Sequence, residues 1–477
     1  MHFRVGPRTL LGAAMVAYAA GFGALSILRH EAFATGRFDL GNMTQAVWAT
    51  AHGHPLAVTS LEGEQFVRLG AHADPILVLL APLWWLWPSP SMLLAVQAVL
   101  LALGALPVFW LARKHLASDW AALGLALAFL LLPALQWMTL SEFHPVALAT
   151  PLLLFALWYL DEERLAPFLA CAFLAIATKE HVGLAIAGLG VWYALSRRRL
   201  LPGLAIALAG IAVAAVTVGV VIPSFRPEGA AAFASRYDEV GGSPLGVLRT
   251  AVSEPGVLLG QAFDGRTFGY LAALVLPLAG LCLAAPLVLV AALPELALNV
   301  LSATPTQTSI HFHYAATVLP ALAGAAVFGT ARLARGLPRR AERLALLVLA
   351  AALVSNYVLG AIPVWRALPG GERLGTSSTR VTEHDRIAQR ALALVPARAV
   401  VSASNSLGGH LSERRRVLSF PVLADAAWVA LDETQPGYAD RIAPLEHAVA
   451  IARLRRDPRW RLVFQRDGIL ILERAGP

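Results

Sequence analysis

Long apolar runs broken by short polar clusters set the organisation of this chain. The first run, residues 9–28, is long enough to cross a bilayer as a helix, which takes about 20 residues. A long polar stretch (29–73) follows, and then a short apolar run at 75–87. That run has only about 13 residues where a crossing needs about 20. It carries Trp84, Trp85 and Trp87, which favour the headgroup level, and it ends in Pro88-Ser89-Pro90. It reads as a re-entrant or interfacial helix on the outer face. Crossings follow at 91–111 and 120–140, and a fourth returns to Asp161. Two short ones at 165–178 and 182–195 are followed by 200–222, then by a loop with a surface helix near 245–263. A hairpin at 268–283 and 286–301, a crossing that ends at the basic stretch 332–343, and a last one at 344–361 complete about eleven spans.

From about residue 365 the pattern becomes that of a soluble domain. Val400-Val401-Ser402, Trp428-Val429-Ala430-Leu431 and 461–473 read as strands, with Asp467-Gly468 as a hairpin turn in the last. Helical periodicity appears at 385–394 and 443–454. The expected fold is mostly α: a polytopic transmembrane helical bundle over 1–364, with 29–90 as its first outer loop. A small α/β domain over 365–477 closes the chain.

Composition sharpens this into a membrane assignment. The chain is 57% hydrophobic and 14% charged, against about 25% charged in ordinary soluble domains. Its net charge of +8 could suggest nucleic acid, but much of it lies in short loops such as Arg197-Arg198-Arg199 and 332–343. There it sets topology, so no nucleic-acid partner is expected. The basic loops place the N-terminus in the cytoplasm and the C-terminal domain outside, in a multi-pass protein of the plasma membrane. The first helix shows no convincing cleavage site and is expected to be retained. Cys171 and Cys282 both fall in apolar runs and signal neither a disulfide framework nor a metal site.

With these spans, five ionisable clusters emerge on one side: Arg37-Phe38-Asp39, His72-Ala73-Asp74, Glu142-Phe143-His144, Lys179-Glu180-His181 and His311-Phe312-His313-Tyr314. Ionisable groups at membrane depth are costly, so a shared site is the natural reading. Asp39, followed by Gln45 and Trp48, is either a capping residue in a solvated loop or a partly desolvated carboxylate able to take a proton from a hydroxyl. His72 and Asp74, Glu142 and His144, and His311 and His313 share an i, i+2 spacing, which faces one way only in extended chain. Such pairs could surround a divalent metal or a phosphate, with His72, Asp74 and His144 as the candidate metal ligands; ordinary hydrogen-bonded loop histidines are the alternative. Lys179-Glu180-His181 is either an internal ion pair in a broken helix or a phosphate-binding point at the membrane edge. Arg68, His313 and Tyr314 complete the candidate substrate contacts. His410, in Gly408-Gly409-His410-Leu411-Ser412, is a loop residue that could close over the site.

Together these features resemble the type C glycosyltransferase architecture. Asp39 follows the first helix in a long outer loop, a Pro-bearing surface helix precedes the second span, Thr178-Lys179 ends a short span, and an α/β domain closes the chain. More narrowly, Phe38-Asp39-Leu40-Gly41, His72-x-Asp74-Pro75, Glu142-Phe143-His144-Pro145 and Lys179-Glu180-His181 resemble a family of bacterial predicted membrane proteins, domain of unknown function 2079.

The looser resemblance implies an enzyme that transfers a hexosyl or pentosyl group from a polyprenyl-phosphate sugar donor to an acceptor glycan, lipid or protein on the outer face. Asp39 would activate the acceptor hydroxyl, while Lys179 and His311 or His313 hold the donor phosphate. Type C enzymes often carry two nearby acids in the first loop, whereas Asp39 stands alone until Glu62, Glu64 and Asp74. The competing readings are a transporter or flippase of a lipid-linked or anionic substrate, and a non-catalytic envelope scaffold.

Overall fold

The computed structural model describes residues 6–226, 233–369, 374, 377–437, 439–441 and 444–475. Four helices are long and apolar enough to cross a membrane: Pro7–Glu31, Pro90–Leu116, Leu200–Phe225 and Pro338–Leu359. A fifth crossing is available if Asp119–Leu130 and Pro133–Leu140, bent by 45°, act as one. Pro133 at the start of the second piece lacks an N–H to continue the ladder, which accounts for the bend. Pro90–Leu116 is central, with 67% of its apolar window buried, while only 22% is buried in Leu200–Phe225 and in Pro338–Leu359. Those two helices therefore bare apolar faces, as helices in contact with lipid do.

Several expected spans are shorter or broken. Pro145–Asp161, Leu165–Ile176, Val182–Ser196 and Val318–Ala334 are apolar helices of 10–17 residues. The expected hairpin at 268–283 and 286–301 does not form as two crossings. Its chain runs through Gly265–Val275, short turns at Leu276–Leu278 and Leu281–Ala284, and helices Pro286–Leu289 and Leu293–Val300. Pro277, Pro286 and Pro294 each remove a helical donor, and Ala279 and Gly280 take left-handed φ of 51° and 69° between the pieces. The surface helix expected near 245–263 is likewise two helices, Pro244–Ser253 and Pro255–Ala262, divided at Pro255. The 75–87 run remains short, a 3-10 stretch Pro75–Leu80 that leads into Ala81–Leu86.

Small residues let helices touch in the bundle. A Cβ on Gly183 would lie 2.5 Å from the Gly210 carbonyl oxygen, so Val182–Ser196 and Leu200–Val216 meet backbone to backbone. At the end of Ala149–Asp161, the Asp161 carboxylate is fully buried. Lys114 Nζ lies 2.8 Å from it and His115 Nε2 2.9 Å, with Arg197 as a third cation. That acid-rich loop thus spends its buried charge internally.

Two sheets accompany the helices. β1 (Ala57–Thr59) and β2 (Gln65–Val67) form an antiparallel hairpin in the stretch after the first helix. In the C-terminal part, β3 (Val401–Ala403), β4 (Val417–Ser419), β5 (Trp428–Asp432), β6 (Trp460–Arg466) and β7 (Ile469–Arg474) form a mixed sheet in the order β4-β3-β5-β7-β6. Asp467 and Gly468, at φ 51° and 79°, make the β6–β7 turn as their types demand. Helix Glu383–Leu392 starts from a Thr382–Asp385 capping box. β4 and the short helix Asn405–Gly409 were not anticipated from the sequence.

Candidate functional site

Asp39 lies in a single π-type turn, Arg37–Gly41, between the first helix and helix Asn42–Ala51. Glu142 grips this turn at both ends. Its carboxylate accepts the Gly36 N–H at 3.1 and 3.2 Å and the Leu40 N–H at 2.8 Å. Glu142 itself adopts a left-handed φ of 72°, an uncommon state for a residue with a Cβ. Gln97 fixes this segment, donating to the Glu142 carbonyl at 2.7 Å and accepting the His144 N–H at 3.0 Å. Two residues on from Glu142, His144 Nε2 stands 3.3 Å from Asp39 Oδ1. Both ring nitrogens of His144 are buried, and neither makes a regular hydrogen bond among the described residues. The His313 ring stacks on His144 with centroids 3.7 Å apart.

These side chains open onto a cavity of about 340 Å³ whose walls include Phe38, Asp39, Arg68, His72, Asp74, His144, Lys179, Arg226, Arg236, His313 and Tyr314. The Asp39 side chain is 38% exposed and lines this recess. Burial pushes its carboxyl up, but His144, Arg68 and Lys179 outweigh this and hold it below the ordinary carboxylate value. Glu142 goes the other way. Burial, and then the Asp39 charge, push it up to about 8 against the pull of the Leu40 and Gly36 amides. Two neighbouring acids are thereby separated, Asp39 towards the ionised form and Glu142 towards the neutral one.

The cations of the cavity differ in availability. Arg68 is committed: its Nε and Nη2 clasp Asp74 at 2.9 and 2.7 Å, and Nη1 donates to Asn42. The Lys179 ammonium makes no hydrogen bond or ion pair among the described residues, and it lines the cavity with Asp39 at electrostatic range. Its neighbours are spoken for. Glu180 accepts from the Ala73 N–H at 3.2 Å and sits 3.0 Å from His72 Nδ1, while His181 Nε2 lies 2.7 Å from the buried Glu295. In the Lys179-Glu180-His181 cluster, two residues are thus held in internal pairs and one faces the cavity.

A family profile described as a predicted membrane protein, DUF2079, matches residues 29–471. The chain belongs to this family. Among curated proteins, none matches this DUF2079 chain by sequence. Solved structures of another protein share its fold. ArnT from Cupriavidus metallidurans in the apo state is 15% identical with a TM-score of 0.53, over 98% of each chain. The same protein bound to undecaprenyl phosphate is 13% identical with a TM-score of 0.52, over 96% of this chain and 98% of that one. The DUF2079 chain therefore has an ArnT-like fold.

Of the residues singled out in this DUF2079 sequence, Asp39, Arg68, His72, Asp74, His144, Lys179, His313 and Tyr314 line the one cavity. Others do not reach it. Arg37 is 2% exposed and donates to Val417 O (3.1 Å), Thr59 O (2.8 Å), Ser60 O (3.1 Å) and Ser419 Oγ, so it is a structural residue and not a substrate contact. Gln45, also buried, ties Thr59 to the Arg414 and Arg415 carbonyls. Trp48 packs in the apolar cluster beside helix Ala81–Leu86 and against His52. Glu142, Glu180 and His181 act behind the wall, and His311 rests on Trp137 with centroids 4.7 Å apart. His72, Asp74 and His144 are each drawn to a different neighbour, namely Glu180, Arg68 and Asp39. They form no ligand set, and among the described residues no three His, Cys, Asp or Glu side chains are grouped to hold a metal ion.

Sequence reasoning missed Glu295, Arg226, Arg236 and Asn405. Glu295 had a legible signal, as a lone acid within an apolar run. Asn405 had none.

Proposed function

We propose that this protein transfers a sugar from a polyprenyl-phosphate donor to a hydroxyl acceptor on the outer face of the plasma membrane. The observation that carries the reading is the pairing of Asp39, favoured as a carboxylate, with the unpaired Lys179 in one recess. The ArnT complex with undecaprenyl phosphate supports a lipid phosphate as the ligand. Asp39 accepts the proton of the acceptor hydroxyl as its oxygen attacks the anomeric carbon. The bond from that carbon to the phosphate oxygen breaks, and the polyprenyl phosphate leaves with its electron pair. Lys179, supported by Arg226, balances the charge that develops on the departing phosphate, as a preorganised cation in a recess can. His144 holds the Asp39 carboxylate from the bundle side, 3.3 Å away. In this reading the soluble part lies outside with the cavity, and the N-terminus lies in the cytoplasm.

Binding of undecaprenyl phosphate to the detergent-purified protein tests the donor assignment. Lys179→Ala should weaken it at least tenfold and Lys179→Arg should retain most of it. Equal affinity in the parent and in Lys179→Ala would remove Lys179 from the proposed role.

A further inference from the structure

The Asp39 turn is held from two sides, and the second side belongs to the C-terminal part of the chain. Glu142 takes the amides of Gly36 and Leu40. The amide between them, Phe38 N–H, donates to Asn405 Oδ1 at 3.0 Å. Asn405 is itself fixed, donating its N–H to both Asp440 oxygens at 3.0 and 2.9 Å, while Asp440 also accepts the Gly437 N–H at 2.9 Å. One residue earlier, Ser404 is tied to β5, with its N–H on Ala430 O at 3.0 Å and its hydroxyl accepting the Asp432 N–H at 3.2 Å.

The contact is close enough to forbid side chains. A Cβ on Gly36 would fall 2.2 Å from Asn405 Nδ2, one on Gly41 would fall 2.5 Å from Ser412 Oγ, and one on Gly408 would fall 2.9 Å from Arg37 Cβ. The glycines of Gly408-Gly409 and of the Asp39 turn therefore serve one docking event. His410 adds a ring stacked on His30 and Phe33, with centroids 4.0 and 3.9 Å away.

We propose that Asn405 is a positioning residue for Asp39, so that the C-terminal part completes the site rather than merely flanking it. Releasing the Phe38 amide lets the Arg37–Phe38 peptide rotate, which loosens the turn and swings the Asp39 carboxylate away from His144 and the cavity. Misplacement of a reacting group by about 1 Å costs on the order of 10²-fold in rate. The catalytic consequence rests on the proposed transfer reaction, whereas the positioning itself does not.

Hydrogen exchange on the full-length protein, followed in overlapping peptides across 36–41, reads the positioning without any activity. In the parent, the Phe38 amide should be protected as well as the Leu40 amide. Asn405→Ala should speed exchange there about tenfold, while Arg416→Ala, which removes a different contact of the same interface (Arg416 to Gly63 O, 2.7 Å), should leave it unchanged. In a transfer assay, Asn405→Ala should lower kcat at least tenfold with the donor KM within about twofold. Free exchange of Phe38 in the parent, unchanged exchange in Asn405→Ala, an equal rise in Arg416→Ala, or unchanged turnover would each overturn the proposal. If Asn405→Ala does not fold, the parent measurement decides. If the parent transfers no sugar, the proposed reaction fails and the exchange result still decides the role of Asn405.

Discussion

Arg37 and Asp39 stand two residues apart in the same motif, yet the structure gives them opposite fates, and replacing Arg37 by Met tests that separation. Met keeps much of the apolar stem and removes the guanidinium. That group is buried, and burial pushes its pKa down to about 10, so it remains a cation at neutral pH. It donates to three backbone carbonyls and the Ser419 hydroxyl, bridging the β1–β2 segment to β4. Hydrogen bonds from a charged donor contribute about 1.5–3 kcal/mol each, but they are not additive. Removing the Arg leaves three carbonyls without their donor but also relieves the cost of burying its charge, so a net loss of about 3–5 kcal/mol is the reasonable figure. For a unit of about 100 residues, each kcal/mol moves Tm by about 4 °C. Arg37→Met should therefore lower the transition of the C-terminal part by roughly 12–20 °C on this scale. Intrinsic fluorescence of Trp428 and Trp460 follows that transition. A variant that melts within about 2 °C of the parent but binds undecaprenyl phosphate tenfold more weakly would show that Arg37 is a ligand and that its assignment here as structural is wrong.

Three further predictions concern other parts of the molecule. Asp161→Asn leaves Lys114, His115 and Arg197 crowded around a neutral side chain and should cost about 3–5 kcal/mol, read as a large drop in the detergent melting temperature; a shift of under 2 °C on the scale used above would contradict it. His384 is opposed by burial, but the two carboxylates that flank it, Asp432 at 3.0 Å and Asp467 at 2.9 Å, hold its pKa above the usual value. Its contribution is therefore complete below about pH 6.5 and lost as pH rises through the folded-state pKa. Melting curves should decline over that range in the parent and flatten in His384→Gln. Glu142, raised to about 8, binds a proton in the folded state that the unfolded chain has released, so stability should fall as pH rises from about 4.5 to 8. Glu142→Gln should remove that slope, and parallel pH profiles for the parent and Glu142→Gln would refute it.

What could be read from the sequence and what could not divide along physical lines. Apolar runs and their punctuation are local, so the membrane class, the shortness of 75–87 and the Asp467-Gly468 hairpin were all legible. Span integrity was less so. In 268–301 the mean apolarity is high throughout, but Pro277, Pro286 and Pro294 decide the backbone, and they outweigh the hydropathy. At the site, Asp39, Lys179, His144 and His313 were found because charge in an apolar setting is conspicuous wherever it ends up. The same signal cannot tell a residue that faces the cavity from one that braces its wall. Arg37, Gln45, Glu142 and His181 carried as much apparent chemistry as Asp39, and only their partners 14 to 380 positions away show them to be braces. Asn405 lies 367 positions from Phe38 at the start of a short helix, and no periodicity or spacing encodes that contact.

The most direct test of the central claim is sugar transfer by the purified protein from an undecaprenyl-phosphate-linked donor, comparing the parent with Asp39→Asn. The Asn side chain preserves the shape and contacts of the turn but cannot take a proton, and general-base catalysis contributes about 10²–10⁴-fold. Transfer by the parent with a loss of at least 100-fold in Asp39→Asn, at unchanged donor affinity, is the expected result. Transfer by Asp39→Asn at the parental rate would contradict the account.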